Sequence, residues 1–382
     1  MTNKKILFGL EFRGALVCDH VQKRQYLAGL VTKALQGRCG GIIVSRDAGG
    51  LIKDASEKSV TRLRPRQTYF LDCGFARTSD VSFNPFTHAD SAGISALLHS
   101  QMASLSDGDP NGVFRRRAEK LIDVMAPVLE WLRDVKGLAL TPNTIRDCFS
   151  LPSIFAIAHE TSMKFFEGER VSHEVNLDGE ISHSLSFPVS NYLTSVPRYD
   201  PRNPPDSPAN ETARKQHSFS LYYFTTQLAT LYEFAGGMFK SWNELDLKEV
   251  LRQRSMVVVN VPYFTETPWI TEAFGKLLIA SIHNAAIALA DERFEEIVGE
   301  LIDMVPSPFH AEPQRPMFVI VDGFEANMDL QLRRVALAAR GEKINFAAAE
   351  AGEGPLWFER QSHKQQFLEM AQGHRGYAGS SQ

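Results

Sequence analysis

The residue types that could bind a nucleotide phosphate stand at two distant points of the sequence. Lys23 lies just before the helical pattern Leu27–Leu35, and Asp322 follows the apolar run Met317–Val321. A phosphate-binding lysine and a strand-end carboxylate that holds Mg²⁺ are central charges of a P-loop nucleotide site. The complete string Gly-x-x-x-x-Gly-Lys-Ser/Thr is absent from the sequence. The two residues therefore indicate a degenerate site, or no site.

The residues next to Lys23 differ from those of a P-loop. In its register, Gln22 occupies the second glycine position and Arg24 the hydroxyl position. A loop without glycine does not easily adopt the left-handed backbone angles that surround a phosphate, and arginine has only donors, so it cannot coordinate magnesium. Lys23 is either a remnant of a phosphate-binding lysine or a solvated lysine in an ordinary loop before the helix. Asp322 is either a vestigial magnesium carboxylate or a cap of the following turn.

Composition excludes several classes of protein. The 382 residues include 41 basic and 45 acidic side chains, so the net charge is −4 and no global basic field marks a dedicated nucleic-acid coat protein. The longest uncharged apolar stretch, Leu277–Ala290, is shorter than the roughly 20 residues that a membrane-spanning helix needs. We therefore expect a soluble protein without a membrane span.

Metal and thiol chemistry find little support in the sequence. No cysteine belongs to a Cys-x-x-Cys pair, and the spacing matches no zinc module, so we expect reduced cytosolic thiols and no metal site. Histidines next to acids could suggest metal ligation, but they lie in predicted loops without a fixed helical register. The residues concerned are Cys18, Cys39, Cys73 and Cys148 for the thiols, and His159, Glu160, His173, Glu174 and His183 for the metal alternative.

The elements that would position Lys23 and Asp322 are short apolar runs separated by helical patterns. Runs that are apolar throughout are typical of strands buried on both faces, as in a parallel sheet covered by helices. Repeated strand and helix patterns predict a doubly wound α/β domain. The candidate strands are Ala15–Val17, Gly41–Val44, Thr68–Leu71, Met256–Val261, Met317–Val321 and Ile344–Ala347.

A helical insertion separates the two groups of strands. From Phe114 to Leu132 the apolar residues recur in steps of three and four, which predicts one buried helical face. We predict an α/β core of residues 1–89 and 241–360, an all-α insertion at 90–240 and a C-terminal tail at 361–382. Within the insertion, 167–183 is predicted to be a loop, and the proline-rich segment 197–218 an exposed or disordered loop.

The order of these strings resembles that of the type IV coupling proteins of conjugation and of Dot/Icm-type secretion, a group of RecA-like ATPases. The resemblance runs from about Ala15 to Glu350. It is carried by the helix from Gln25 to Leu35, the strand and Asp-x-Lys-Gly-like motif from Gly40 to Leu51, the Asn-Pro-Phe turn at 84–86, the helical segments at 114–134 and 144–147, the helix and valine strand at 242–261 that return to the core, and the Val319–Asp322 strand with its following helix.

The resemblance implies a RecA-like, P-loop-NTPase-type core with a mostly parallel sheet and an inserted all-α domain. It implies a vestigial nucleotide site at Lys23, Arg24, Asp47, Asp322 and Glu350. The acid expected after Asp322 is replaced by Gly323, and the usual phosphate-sensing glutamine by Glu350, which would repel a phosphate. We therefore expect a catalytically inactive protein with no catalytic residue and no cofactor. The alternative is a divergent ATPase that uses ATP and Mg²⁺ as a hexamer.

The resemblance also implies partners and a location. Other subunits of a secretion or conjugation machine are the expected partners, with a protein substrate or DNA as alternatives for the transferred molecule. The Arg115–Arg117 cluster is either a contact surface for a partner or substrate, or a solvated helix face. We expect a cytoplasmic protein, peripheral at the inner membrane where its partners hold it there, and leave oligomer formation open.

Overall fold

The computed structural model of the chain describes residues 5–7, 10–12, 14–16, 20–36, 38–45, 50–51, 68–73, 81–102, 112–167, 170–177, 180–235, 238–239, 245–261, 268–303, 316–324, 344–350, 356–358 and 361–372. The chain divides into two compact units. The first unit contains Met1–Phe83 and Glu244–Gln382, and the second contains Asn84–Asn243.

The strands and helices are numbered in chain order. The strands are β1 (Lys5–Leu7), β2 (Leu10–Phe12), β3 (Gly14–Leu16), β4 (Gly40–Ser45), β5 (Thr68–Asp72), β6 (Ser162–Glu167), β7 (Arg170–Asn176), β8 (Met256–Asn260), β9 (Met317–Phe324), β10 (Ile344–Glu350) and β11 (Leu356–Phe358). The helices are α1 (His20–Leu35), α2 (Ser91–Ser100), α3 (Gly112–Asp134), α4 (Pro142–Cys148), α5 (Leu151–Ala158), α6 (His183–Ser195), α7 (Glu211–Ala235), α8 (Leu247–Gln253), α9 (Pro268–Asp303) and α10 (Gln361–Gln372).

The core of the first unit is a mostly parallel sheet. Its described strands follow the order β3-β11-β10-β9-β4-β8-β5. The neighbours from β10 to β5 are parallel, whereas β11 is antiparallel to both β10 and β3. Every residue of β4 is buried, as expected for an uninterrupted apolar run in a sheet covered on both faces. The predicted α/β fold with a RecA-like, mostly parallel core is confirmed.

Helices α1 and α10 pack together beside this sheet. Phe367 of α10 is fully buried, and its ring centroid lies 5.2 Å from that of Phe358 and 6.2 Å from that of Phe318. Burying an aromatic side chain stabilises a fold by about 1.5–3 kcal/mol, so α10 is part of the core. The prediction of a tail at 361–382 is therefore wrong for 361–372, and 373–382 lies outside the described residues.

The second unit contains α2 to α7 and one hairpin, β6–β7. The predicted buried face of α3 is observed at Ala118, Leu121 and Leu132, among others. The prediction of a loop at 167–183 is wrong for Arg170–Asn176, which form β7, and for His183, where α6 begins. Buried and exposed side chains alternate along both strands of the hairpin, as expected for strands with one buried face: Met163 and Val175 are buried, whereas the side chains next to them in sequence are exposed. Within the described part of the insertion, the regular elements are helices and this two-stranded hairpin, so the prediction of an all-α insertion is wrong at the hairpin.

The proline-rich segment is more ordered than the sequence indicates. A short 3₁₀ turn covers Pro208–Asn210, and α7 begins at Glu211, so the final eight residues of the predicted loop 197–218 are helical. The fully buried Asn210 side chain accepts a hydrogen bond from the Asp200 amide at 2.7 Å and donates to three carbonyl oxygens of the same segment. One amide side chain thus satisfies backbone groups that the prolines leave without regular partners.

One described helical segment, Trp269–Glu292 of α9, is long and apolar enough to cross a membrane by length and composition. Of the most apolar stretch of this segment, 67% is buried inside the protein. This burial is typical of the central helix of a folded core.

Candidate active site: a polar row and a buried ion pair

A row of polar side chains ends four neighbouring parallel strands. Asp322 lies near the end of β9, Ser45 ends β4, Asn260 ends β8 and Asp72 ends β5. Each follows an apolar run, so the sequence changes from buried strand to polar edge at the same level of the sheet. The carboxyl edge of a parallel sheet is where α/β proteins bind ligands, which makes this row the candidate functional site.

Lys23 of α1 meets this row. It is 3% exposed, and its Nζ donates to Asp322 Oδ1 at 2.8 Å. The Ser45 hydroxyl donates to the other carboxylate oxygen, Oδ2, at 3.2 Å. The interpretation of Lys23 as a solvated lysine is therefore wrong. The three side chains join α1, β9 and β4, and the Asp322 carboxylate has a partner on each oxygen.

The other half of the row is joined by a hydrogen bond between an amide and a carboxylate. The Asn260 side-chain amide donates to Asp72 Oδ1 at 3.2 Å, and the Cys73 amide donates to the Asn260 carbonyl oxygen at 2.9 Å. Burial, with a smaller contribution from the Asp72 charge, raises the pKa of the Cys73 thiol well above its usual range. A thiol in this state is a poor nucleophile, so Cys73 has a packing role.

The backbone before Lys23 does not have the geometry of a P-loop. Helix α1 begins at His20, so Gln22, Lys23 and Arg24 lie in helix, whereas the sequence indicated a loop over these positions. Three residues, 17–19, separate the end of β3 at Leu16 from α1. A P-loop places six residues of phosphate-surrounding backbone before its lysine, and here half of those positions are already helical. The amides of a first helical turn point along the helix axis, so they do not surround a phosphate as the loop of a P-loop does.

The remaining predicted nucleotide-site residues are Arg24, Asp47 and Glu350. Arg24 lies in α1 and is partly exposed, and Asp47 falls outside the described residues. Glu350 is the last residue of β10, where its backbone is in register with Phe324 of β9 after a register shift. Within the predicted set, the side-chain contact that the structure describes is the one between Lys23 and Asp322.

The Arg115–Arg117 cluster does not form a single basic surface. Arg115 Nε donates to Glu119 Oε1 at 2.9 Å, an ordinary pair one helical turn apart. Arg117 turns towards Phe114, with its guanidinium carbon 5.6 Å from the ring centroid. Arg116 is exposed. The three side chains have three different surroundings.

Among the described residues, no group of three or more His, Cys, Asp or Glu side chains could hold a metal ion. The histidines considered as ligands contact aromatic rings instead, with His159 against Phe155 and His183 against Phe187. The described cysteines, Cys39, Cys73 and Cys148, are free and buried.

Sequence reasoning missed Ser45, Asn260 and Asp72 as members of the polar row. A signal was present, because each is the first polar residue after a run of apolar strand residues. Since parallel strands end at a common edge, such residues are expected to be neighbours. What the sequence does not contain is the strand order, which decides that Ser45 lies beside Asp322 and Asn260 beside Asp72.

Comparison with known proteins gives one informative relative. No known protein-family profile matches the chain. The chain is 22% identical over 292 residues to the type 4 coupling protein DotL of Legionella pneumophila subsp. pneumophila. The match supports the resemblance to coupling proteins. It covers 74% of this chain and 35% of that protein, so the chain spans about a third of the length of this relative.

Proposed function

We propose that the chain is a coupling-protein-like component of a type IV secretion or conjugation system that does not hydrolyse ATP and that recruits a substrate or partner as a scaffold. The distant similarity to a type 4 coupling protein supports the proposal that the chain belongs to such a system. The Lys23–Asp322 ion pair is the observation that carries the proposed inactivity.

The pair uses the two charges that a nucleotide site would need for its ligand. In phosphoryl transfer the lysine neutralises phosphate oxygens and the strand-end carboxylate holds Mg²⁺. Here the ammonium and the carboxylate neutralise each other at 2.8 Å, with side-chain exposures of 4% and 14%. A nucleotide would have to separate a mostly buried pair and desolvate its own phosphates, and in return the residues directly before Lys23 offer only the amides of a first helical turn.

The alternative function is a divergent ATPase that drives DNA or protein transfer as a hexamer. The same contact favours it, because a phosphate-binding lysine and a magnesium carboxylate must lie close together in an active site. On this reading the pair opens when ATP and Mg²⁺ enter. The two functions therefore differ in whether nucleotide competes with the ion pair.

Calorimetry with ATP and Mg²⁺ tests nucleotide binding directly. The scaffold function predicts no heat of binding, no ATP hydrolysis above a blank, and no rise in melting temperature with added ATP. Micromolar binding that is lost in Lys23→Met would overturn the proposed inactivity. Lys164→Met is the matched control, because Lys164 is an exposed lysine of the hairpin that pairs with Glu174 at 3.9 Å.

A transfer assay separates scaffold from motor. The double variant Lys23→Met/Asp322→Asn removes both charges without leaving either one buried alone. If the chain acts as a scaffold, the double variant should restore substrate transfer to a strain that lacks the protein. If the chain is a motor, the double variant should fail to restore transfer. Partner subunits, the transferred substrate and a cytoplasmic place beside the inner membrane belong to the same proposal, and fractionation of cells with and without the machine tests the location.

A further inference from the structure

Helix α7 presents an uncharged aromatic face to solvent. Residues 216–232 contain no Asp, Glu, Lys or Arg, although the helix lies at the surface of the second unit. Phe219 is 52% exposed and Tyr222 is 70% exposed. Tyr and Phe are enriched in protein interfaces and charged residues are depleted at their centres, so this composition is typical of a contact surface.

The exposed face has the spacing of a helix-pairing seam. Steps of four and three residues connect its members, the pattern by which one helix packs along another. The Thr226 hydroxyl donates to the Tyr222 carbonyl oxygen at 3.3 Å, so its polar group is satisfied within the helix. The seam consists of Lys215, Phe219, Tyr222, Thr226, Ala229 and Glu233.

We propose that two copies of this chain associate through α7, with the two helices antiparallel about a twofold axis at the level of residue 224. In this register Phe219 faces Ala229 of the second copy, and Tyr222 faces Thr226. Each large side chain meets a small one, as interdigitating packing requires. The contact spans about 27 Å of helix from Lys215 to Glu233, at 1.5 Å per residue.

Charge complementarity favours a second copy of this chain as the partner that covers the seam. The seam has Lys215 at one end and Glu233 at the other, so the antiparallel register places each lysine opposite a glutamate of the other copy. Both side chains are exposed, and Lys215 Nζ donates to Glu211 Oε1 of its own helix at 2.7 Å, which leaves two of the three ammonium protons for a second acceptor. A parallel arrangement would place like charges together, which is unfavourable. A nucleic acid would need cations along the face to neutralise phosphates, and the 17 residues between Lys215 and Glu233 supply no lysine or arginine.

Contacts within the second unit prepare the seam for association. The Phe219 ring packs edge-to-face against Phe114 of α3, with ring centroids 5.4 Å apart. On the inner side of α7, Phe224 is fully buried and packs against Phe149 at 4.9 Å. Contacts on its inner side thus hold the helix in place. Covering its outer face therefore costs less side-chain entropy than covering a mobile helix would.

Sedimentation equilibrium of the full chain over a concentration series tests the proposal. We expect a concentration-dependent dimer without added nucleotide. Tyr222→Glu should weaken association by roughly a hundredfold, because it places two carboxylates within a desolvated contact. The matched control is Phe187→Glu, since Phe187 is also 52% exposed in the same unit but lies on α6; its dimerisation should be unchanged.

Charge reversal tests the antiparallel register independently of any effect of Tyr222→Glu on folding. Lys215→Glu or Glu233→Lys alone should weaken the dimer about tenfold, because two attractive pairs become repulsive. The double variant Lys215→Glu/Glu233→Lys should restore it. A wild-type chain that stays monomeric at about 100 μM, or a dimer that is insensitive to Tyr222→Glu and to charge reversal, would overturn the proposal. Neither result bears on ATP binding, which the nucleotide assays test separately.

Discussion

Removing one charge of the Lys23–Asp322 pair is expected to destabilise the first unit more than removing both. The Lys23→Met variant leaves the Asp322 carboxylate with the Ser45 hydroxyl as the partner described for its second oxygen. The Asp322→Asn variant leaves the Lys23 ammonium in a site where that residue is 3% exposed. In each single variant a mostly buried charge loses the counter-charge that lies 2.8 Å away.

The expected cost follows from the exposure of the two side chains. Removing one partner of a fully buried ion pair costs about 3–5 kcal/mol of unfolding free energy, mainly because the remaining charge stays desolvated. The Asp322 side chain is 14% exposed, so water reaches part of the carboxylate. We therefore expect about 2–3 kcal/mol for Lys23→Met, and slightly more, about 3 kcal/mol, for Asp322→Asn, which leaves the more deeply buried ammonium.

The double variant Lys23→Met/Asp322→Asn should cost less than the sum of the two single changes. It removes both charges of this pair, and methionine retains most of the lysine stem volume in the same contacts. We expect a net change within about 1.5 kcal/mol, and therefore a coupling free energy of about 3 kcal/mol or more between the two positions. The exposed control Lys164→Met should change the unfolding free energy by less than about 1 kcal/mol.

Urea unfolding with hydrogen-exchange mass spectrometry is the appropriate assay, because the two compact units need not unfold together. Peptides from β4 and β9 report on the first unit, and peptides from α3 on the second. The single variants should lower protection in the first unit and leave the second unchanged. Costs that add in the double variant, or a Lys23→Met protein as stable as the wild type, would refute the buried-pair reasoning.

Two further perturbations test packing and titration. Gly29→Ala should destabilise the first unit by about 1–3 kcal/mol in urea unfolding, because the added Cβ would lie 2.2 Å from the Ala371 carbonyl oxygen. The control is Gly112→Ala, whose added Cβ would have its nearest atom at 3.7 Å, and this variant should not destabilise the second unit. Burial lowers the pKa of His217 to about 4, with a smaller lowering by the Arg117 charge, from a reference value of 6.5. Because the unfolded chain then binds the proton more readily, the second unit should lose about 3 kcal/mol of stability as the pH falls from about 6.5 to 4, with no further loss from this group below pH 4. His217→Gln should reduce this dependence in unfolding curves measured across that range, and an unchanged slope would contradict the assignment.

The strands could be predicted because their burial on both faces requires uninterrupted apolar sequence. The run at Met256 coincides with β8 to within one residue, and the run at Met317 begins where β9 begins, although β9 continues three residues further, to Phe324. Helix α3 was equally clear, since its buried positions repeat with helical spacing over many turns. In both cases the local pattern contains enough residues to identify the element without knowledge of its neighbours.

The missed elements are those whose structure depends on distant contacts. Helix α10 has a polar sequence, and its place in the core rests on Phe367, which contacts Phe318 and Phe358. The hairpin β6–β7 is short, so its alternation covers few residues. The ordered proline-rich segment depends on a single amide side chain, Asn210, whose partners lie up to ten residues away. None of these contacts is visible in local periodicity.

The burial of Lys23 was missed for a different reason, and that reason bears on how degenerate nucleotide sites are interpreted. Its contact with Asp322 joins residues 299 positions apart, and it exists because α1 begins three residues before the lysine. Once that contact forms, the folded protein neutralises its strand-end carboxylate without Mg²⁺ or ATP. The lysine and the aspartate then stabilise the fold whether or not nucleotide binds, so an unfolding penalty for either single variant is expected under both proposed functions. What separates a scaffold from a motor is the double variant, because it removes the phosphate and magnesium contacts while leaving the fold without an unpaired charge. If that variant loses transfer while its hydrogen exchange remains that of the wild type, the chain is a motor and the scaffold proposal fails.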